Sequence, residues 1–153
     1  MNEEIEFLEY IYQNAKICQE TIARIIKNRN KKDELENVIK TQYFEYKKIS
    51  NSAKNMLERR KKKVNEEISV MAKIVTYMEI KKNIAKENDV TEIVCLLIEG
   101  SKVGIEQIST RLNEIKVTNK PVLNLANRLI NIEKNNIEEL KKYVESNNIN
   151  IDI

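Results

Sequence analysis

Histidine and tryptophan are absent from this 153-residue chain, which holds one proline, two glycines, two cysteines and two phenylalanines. Without His, and with its Ser and Thr residues in polar stretches or caps, the chain assembles no nucleophile, base and orienting group, so triad hydrolase chemistry is excluded. So little glycine and proline leaves almost nothing for hairpin turns or strand boundaries, while Lys, Glu, Leu, Ile and Asn are abundant, so helix is expected throughout. Cys18 and Cys95 are far apart and belong to no Cys-x-x-Cys pair. Zinc and thioredoxin-type chemistry therefore lack support, and both cysteines read as small reduced core residues. No apolar run approaches the roughly 20 residues that span a bilayer, and the acidic start Met1-Asn2-Glu3-Glu4 is unlike a signal peptide, so a cytoplasmic protein is expected.

What the chain does contain is amphipathic. Hydrophobic residues make up 41% and charged residues 33%, with a formal net charge of +3, a mixture that folds rather than stays disordered. The length suits one domain, expected over residues 1–146 and followed by a flexible tail, 147–153, whose alternating Asn and Ile residues carry no helical stripe. Lys, Asn and Ile in such numbers are also what AT-rich bacterial codons produce, so they carry little functional weight.

Five helical segments emerge from apolar residues at spacings of three and four. The first, about Glu3 to Lys27, carries Leu8, Ile11, Tyr12, Ala15, Cys18, Ile22, Ile25 and Ile26. The second opens on a capping box, Asp33 with Glu36, and carries Leu35, Val38, Ile39, Tyr46, Ile49, Ala53, Met56 and Leu57. The basic run Arg59 to Lys63 closes it, and a break is placed near Asn65. A weaker third segment, about Glu66 to Lys86, shows Ile68, Met71, Val75 and Met78 on one face. A second capping box, Asp89 with Glu92, starts the fourth, with Val90, Ile93, Val94, Leu97, Ile108, Leu112 and Ile115 facing inward. Pro121 marks the first turn of the fifth, whose stripe is Val122, Leu125, Ala126, Leu129, Leu140, Tyr143 and Val144.

Segments one, two, four and five make rods of roughly 40 Å at the helical rise per residue. Short links make one and two antiparallel, and likewise four and five, while the third segment returns the chain so that two and four run the same way. The expected fold is all-α, a four-helix bundle with a long helical crossover between its second and third core helices. The stretches Leu97 to Leu112 and Leu125 to Val144 resemble the last two bundle helices of small bacterial ferritin-like proteins. That resemblance implies a ferritin-like bundle. Metal-binding members place a Glu on each of two helices and a Glu-x-x-His on each of the other two.

Projected at the helical period, the polar positions inside the apolar stripes are Gln19, Gln42, Glu133 and Asn136, with Tyr46 beside them and Glu45 at the stripe's edge. Glu133-x-x-Asn136 stands where Glu-x-x-His would, Gln42-x-x-Glu45 echoes it, and Ser101 and Gly104 lie at matching depth on segment four. Without His, the family's metal ligands do not carry over, and neither metal nor cofactor is expected. The plain reading is structural: an amide, an acid and a phenol buried together bond to one another and fix the register of the helices. The alternative has Glu133 and Glu45, with the amide oxygens of Gln19, Gln42 and Asn136, holding a hard cation.

Both glycines fall one turn apart in segment four, and each costs about 1 kcal/mol in a helix interior relative to Ala. Closeness is the expected reason: Gly100 and Gly104 let a neighbouring backbone approach, or receive a ring such as Tyr46 or Tyr12. The run Arg59, Arg60, Lys61, Lys62, Lys63 offers phosphate contacts to nucleic acid or an anionic surface, but a basic helix end is favoured by the dipole alone. With acidic residues spread throughout and no aromatic platforms, nucleic acid is disfavoured. The sequence therefore reads as a non-catalytic bundle with a structural or interaction role. A protein partner or a second copy, meeting it through a residual apolar helix face, is expected; a cation binder and a weak anionic-surface binder are the competing readings.

Overall fold

The computed structural model describes residues 2–29, 31–62 and 90–151. Within them lie four helices and no strand: α1 (Asn2–Arg29), α2 (Glu34–Arg59), α3 (Val90–Glu114) and α4 (Lys120–Ser146). They match segments one, two, four and five. Segment three, the break at Asn65, the Asp89 capping box, Lys63 and the crossover all lie outside the described residues.

The helix ends explain their own positions. Asp33, in extended backbone, accepts the Glu36 amide at 2.9 Å and starts α2. Asn119 accepts the Val122 amide at 3.2 Å and starts α4, with Pro121 in the first turn where no amide hydrogen is needed. At the other end of α2, Lys61 turns into the left-handed region at φ 58. The amides of Lys61 and Lys62 then return to the carbonyls of Glu58 and Leu57 at 2.9 and 3.0 Å. This Schellman closure stops α2 at the start of the basic run. Asn148, at φ 53, closes α4 in the same manner, with the Ile149 amide on the Val144 carbonyl at 2.9 Å. The turn carries Ile149 and Ile151 back onto the core. Within the tail expected from residue 147, Ile149 and Ile151 are therefore partly buried against the core.

Residue pairs set the helix directions. Ser50 meets Gln19, and Arg60 meets Glu4, so α1 and α2 are antiparallel. Gln42 reaches Asn136 and Tyr46 reaches Glu133, so α2 and α4 are antiparallel. The loop 115–119 is too short for anything but an antiparallel α3 and α4. It follows that α2 and α3 run the same way on opposite corners of the bundle, where their backbones stay apart and the side chains of Tyr46 and Ser101 meet across the core. One apolar core joins all four helices. Its fully buried members include Leu8, Ile11, Ile22, Leu35, Ile39, Ile49, Ile93, Ile98 and Ile108. Each contributes roughly 1.5–3 kcal/mol of burial. Cys18 and Cys95 are half-buried rather than enclosed and form no disulfide.

Candidate functional site

Half-way along the bundle the apolar packing is interrupted by buried polar side chains. Gln19, Gln42, Tyr46, Ser101, Glu133 and Asn136 are all buried there. Glu45 is not among them. Its carboxylate is 38% exposed and pairs with Lys48 at 3.5 Å on the outer face of α2. Standing at the edge of the stripe, it finds water and a cation outward and neither inward. It lines instead an open groove of about 530 Å³ between α2 and α4, with Val38 and Ile132 as its apolar residues.

The buried groups bond as two pairs and a separate cluster in which Tyr46 meets Ser101, Asn136 and Glu133. Ser50 Oγ lies 3.0 Å from Gln19 Oε1, tying α1 to α2. Gln42 Nε2 donates to the backbone carbonyl of Asn136 at 3.4 Å, tying α2 to α4. Two groups are thus satisfied pairwise, and a third set is left around Glu133. The Tyr46 hydroxyl donates to Glu133 Oε1 over 3.5 Å, and the Cys18 thiol stands 4.0 Å from the same oxygen. The phenol's separation exceeds the roughly 2.7–2.8 Å of a good O–H···O bond, and the thiol stands at the outer limit of an S–H···O contact. Glu133 Oε2 and Asn136 Nδ2 have no hydrogen-bond partner at all. An unmatched buried acid favours its neutral form, and burial pushes the Glu133 carboxyl up from 4.5 to about 8. Burial also drives the Tyr46 phenol well above its ordinary 10, reinforced by the anionic potential of Cys18 and Glu133 and eased by Ser101 and Asn136.

Gly104 belongs to this cluster. A Cβ at that position would meet both carboxyl oxygens of Glu133, with Oε2 at 2.6 Å and Cδ at 2.7 Å. The close approach expected for a ring is made by the Glu133 carboxyl, and α3 has a glycine there because the acid occupies the space a methyl would fill. Gly100 lines a small cavity of about 20 Å³ with Cys18, Thr21, Gln42, Tyr46 and Ser101. That is room for about one water molecule.

The basic run holds together less than its sequence implies. Arg60 folds back to Glu4 at 2.9 Å and to the Met56 carbonyl, and Lys62 pairs with Glu9 at 3.6 Å. Arg59 and Lys61 remain exposed. The exposed large apolar side chains among the described residues are Phe44 and Val103, on helices at opposite corners of the bundle, so they form no continuous face.

Sequence reasoning missed two features. Cys18 read as an ordinary apolar residue, although it directly precedes Gln19 and its thiol stands 4.0 Å from Glu133 Oε1. The second lies at the α1–α2 corner, where buried Arg29 makes a bidentate pair with Asp33 at 2.9 and 2.6 Å. The Arg29 guanidinium holds the Asp33 carboxyl down at about 2. The i, i+4 spacing of opposite charges was a readable signal for that pair.

Compared with known proteins, the chain matches no family model, no curated protein and no solved structure. No helix among the described residues is long and apolar enough to cross a membrane.

Proposed function

We propose that this chain is a ferritin-like bundle without dinuclear iron chemistry, acting as a structural or interaction module toward a protein partner, a second copy included. The observation that carries the reading is the content of the central layer. Among the described residues, Glu133 is its only carboxylate, and Glu45, the second candidate, is turned outward onto Lys48. A dinuclear oxidase site draws on a Glu from each of two helices and a Glu-x-x-His from each of the other two. One acid, with amides and hydroxyls for neighbours, does not bridge two irons.

What supports the ferritin-like part is direction: α1/α2 and α3/α4 are antiparallel hairpins, and α2 runs parallel to α3. What supports a structural role is the pairwise bonding of Gln19 with Ser50 and of Gln42 with Asn136, which a slip of any one helix along its neighbour would break. The test is aerobic oxidation of Fe2+ in the presence of the protein, with mass followed by light scattering. The reading expects oxidation at the rate seen in buffer alone. Protein-dependent oxygen consumption at two irons per chain would overturn it. A mass of two chains would identify the partner as a second copy.

A further inference from the structure

We infer that the outer face of α2 is the surface through which two copies of this chain pair, antiparallel, about a two-fold axis passing between Tyr46 and Lys47. The inference rests on the interaction-module reading above and names its partner as a second copy.

Beside its buried stripe, α2 carries a second one at alternating spacings of four and three. Its first half is Glu34, Val38, Thr41 and Glu45, and its second half is Lys48, Ser52, Asn55 and Arg59. All eight reach solvent, five of them exposed and Val38, Glu45 and Ser52 half-buried. A stripe that repeats every 3.5 residues or about that is the kind along which two helices stay in contact over several turns.

Charge decides the direction of pairing. The first half of the stripe is acidic and the second half basic, so a parallel pair of copies would set Glu on Glu and Arg on Arg. Antiparallel pairing about the midpoint gives every position an answering one. Glu34 meets Arg59, Glu45 meets Lys48, Thr41 meets Ser52 and Val38 meets Asn55. Each match occurs twice by symmetry, as an isologous interface requires.

The surface around the stripe suits the same occupant. Its acidic half borders the open groove of about 530 Å³ between α2 and α4, which adds Glu139 and has, among the described residues, no Lys or Arg in its lining. The basic half of a second α2 therefore meets three carboxylates there. Phe44, 53% exposed, stands one residue before Glu45, and the contact takes its ring out of water. Within one chain Glu45 pairs with Lys48 at 3.5 Å, both side chains more than a third exposed. Such a pair contributes little, so exchanging it for the same pair across the axis costs little. Glu34 and Arg59 are exposed and have no ion-pair partner among the described residues, so they gain one outright.

Sedimentation equilibrium of the full-length protein, over a range of concentrations, is the test. The expected result is a monomer–dimer equilibrium whose dissociation constant rises about tenfold between about 0.05 and about 0.5 M NaCl, because salt screens exposed charge pairs. Glu45→Lys and Lys48→Glu, each alone, set like charges across the axis and weaken the dimer at least about tenfold. Mixed together, the two variants regain wild-type affinity as a heterodimer, because each meets the opposite charge on the other while the charges within each chain still repel. Circular dichroism checks that each variant is folded. A monomer at every concentration overturns the inference and leaves the interaction module with some other partner. A dimer that neither variant weakens, or a mixture no tighter than its components, overturns this surface. Neither result bears on the Fe2+ oxidation test, so the two readings fail separately.

Discussion

Two acids in this molecule, half-buried Asp33 and fully buried Glu133, meet opposite fates. At the α1–α2 corner, Asp33 caps a helix, takes a bidentate grip from buried Arg29, and is held at about 2. In the middle of the bundle, Glu133 has a distant phenol, a more distant thiol and, among the described residues, no cation, and is raised to about 8. Desolvation acts upward on both, and the difference is the partner. A carboxylate that brings its own cation into the fold becomes a structural part of it. A carboxyl left without one keeps its proton.

Removing the cation's partner at the corner is the most damaging way to break this comparison. Asp33→Ala strips the N-cap and leaves the Arg29 guanidinium buried and uncompensated, which costs about 3–5 kcal/mol. Urea unfolding measures it, and a loss below about 1 kcal/mol would show that the corner pair is ornamental.

The two acids also predict opposite responses to pH. Glu133 has a folded value above its unfolded one, so its contribution to stability is full below 4.5 and is lost as pH rises through about 8. Asp33 has a folded value below its unfolded one, so its contribution is full above 3.8 and is lost as pH falls toward about 2. Each unit of difference is worth about 1.4 kcal/mol. In metal-free protein, Glu133→Gln is expected to flatten the alkaline limb and leave the acid limb intact. An unchanged alkaline limb in that variant would assign the limb elsewhere.

Gly104 sharpens the comparison from the other side of the carboxyl. Alanine is the better helix former by about 1 kcal/mol, yet Gly104→Ala should destabilise by about 1–3 kcal/mol, because its methyl falls on Glu133. Combined with Glu133→Ala, which vacates the space, the same change should become neutral or stabilising. A double-mutant cycle reads the sign, and additive effects would mean that the two positions do not touch.

The smallest effect is a control away from both acids. Lys61 occupies the left-handed position that closes α2, so Lys61→Gly should gain about 1 kcal/mol or less by relieving its Cβ. It should add to each variant above without coupling.

How much of this was legible in the sequence follows from which contacts are local. The four helices, the cap at Asp33 and the first turn at Pro121 depend on spacing within one segment, and a reader of the chain has that spacing. Gln42, Tyr46, Glu133 and Asn136 announced themselves as polar residues in apolar stripes. Glu45 did not resolve, because a residue at a stripe's edge turns to whichever side offers a partner, and Lys48 was one turn away on the outside. Cys18 was hidden by its own chemistry, since a thiol counts as apolar until it is seen beside an acid. That Gly104 answers Glu133 rather than a tyrosine depends on the relative height of α3 and α4, a quantity set by packing across the bundle. The tail escaped for a similar reason: Ile149 and Ile151 gain contacts only once Asn148 has reversed the chain.

The protonation state of Glu133 is the direct test. Infrared difference spectra of metal-free protein against Glu133→Gln, taken between pH 4.5 and pH 8, isolate the carbonyl stretch of this one carboxyl. The account predicts a protonated-acid band that persists across that interval and disappears with a midpoint at about 8. A carboxylate already formed just above pH 4.5 would contradict it, and with it the picture of a buried acid that burial keeps protonated.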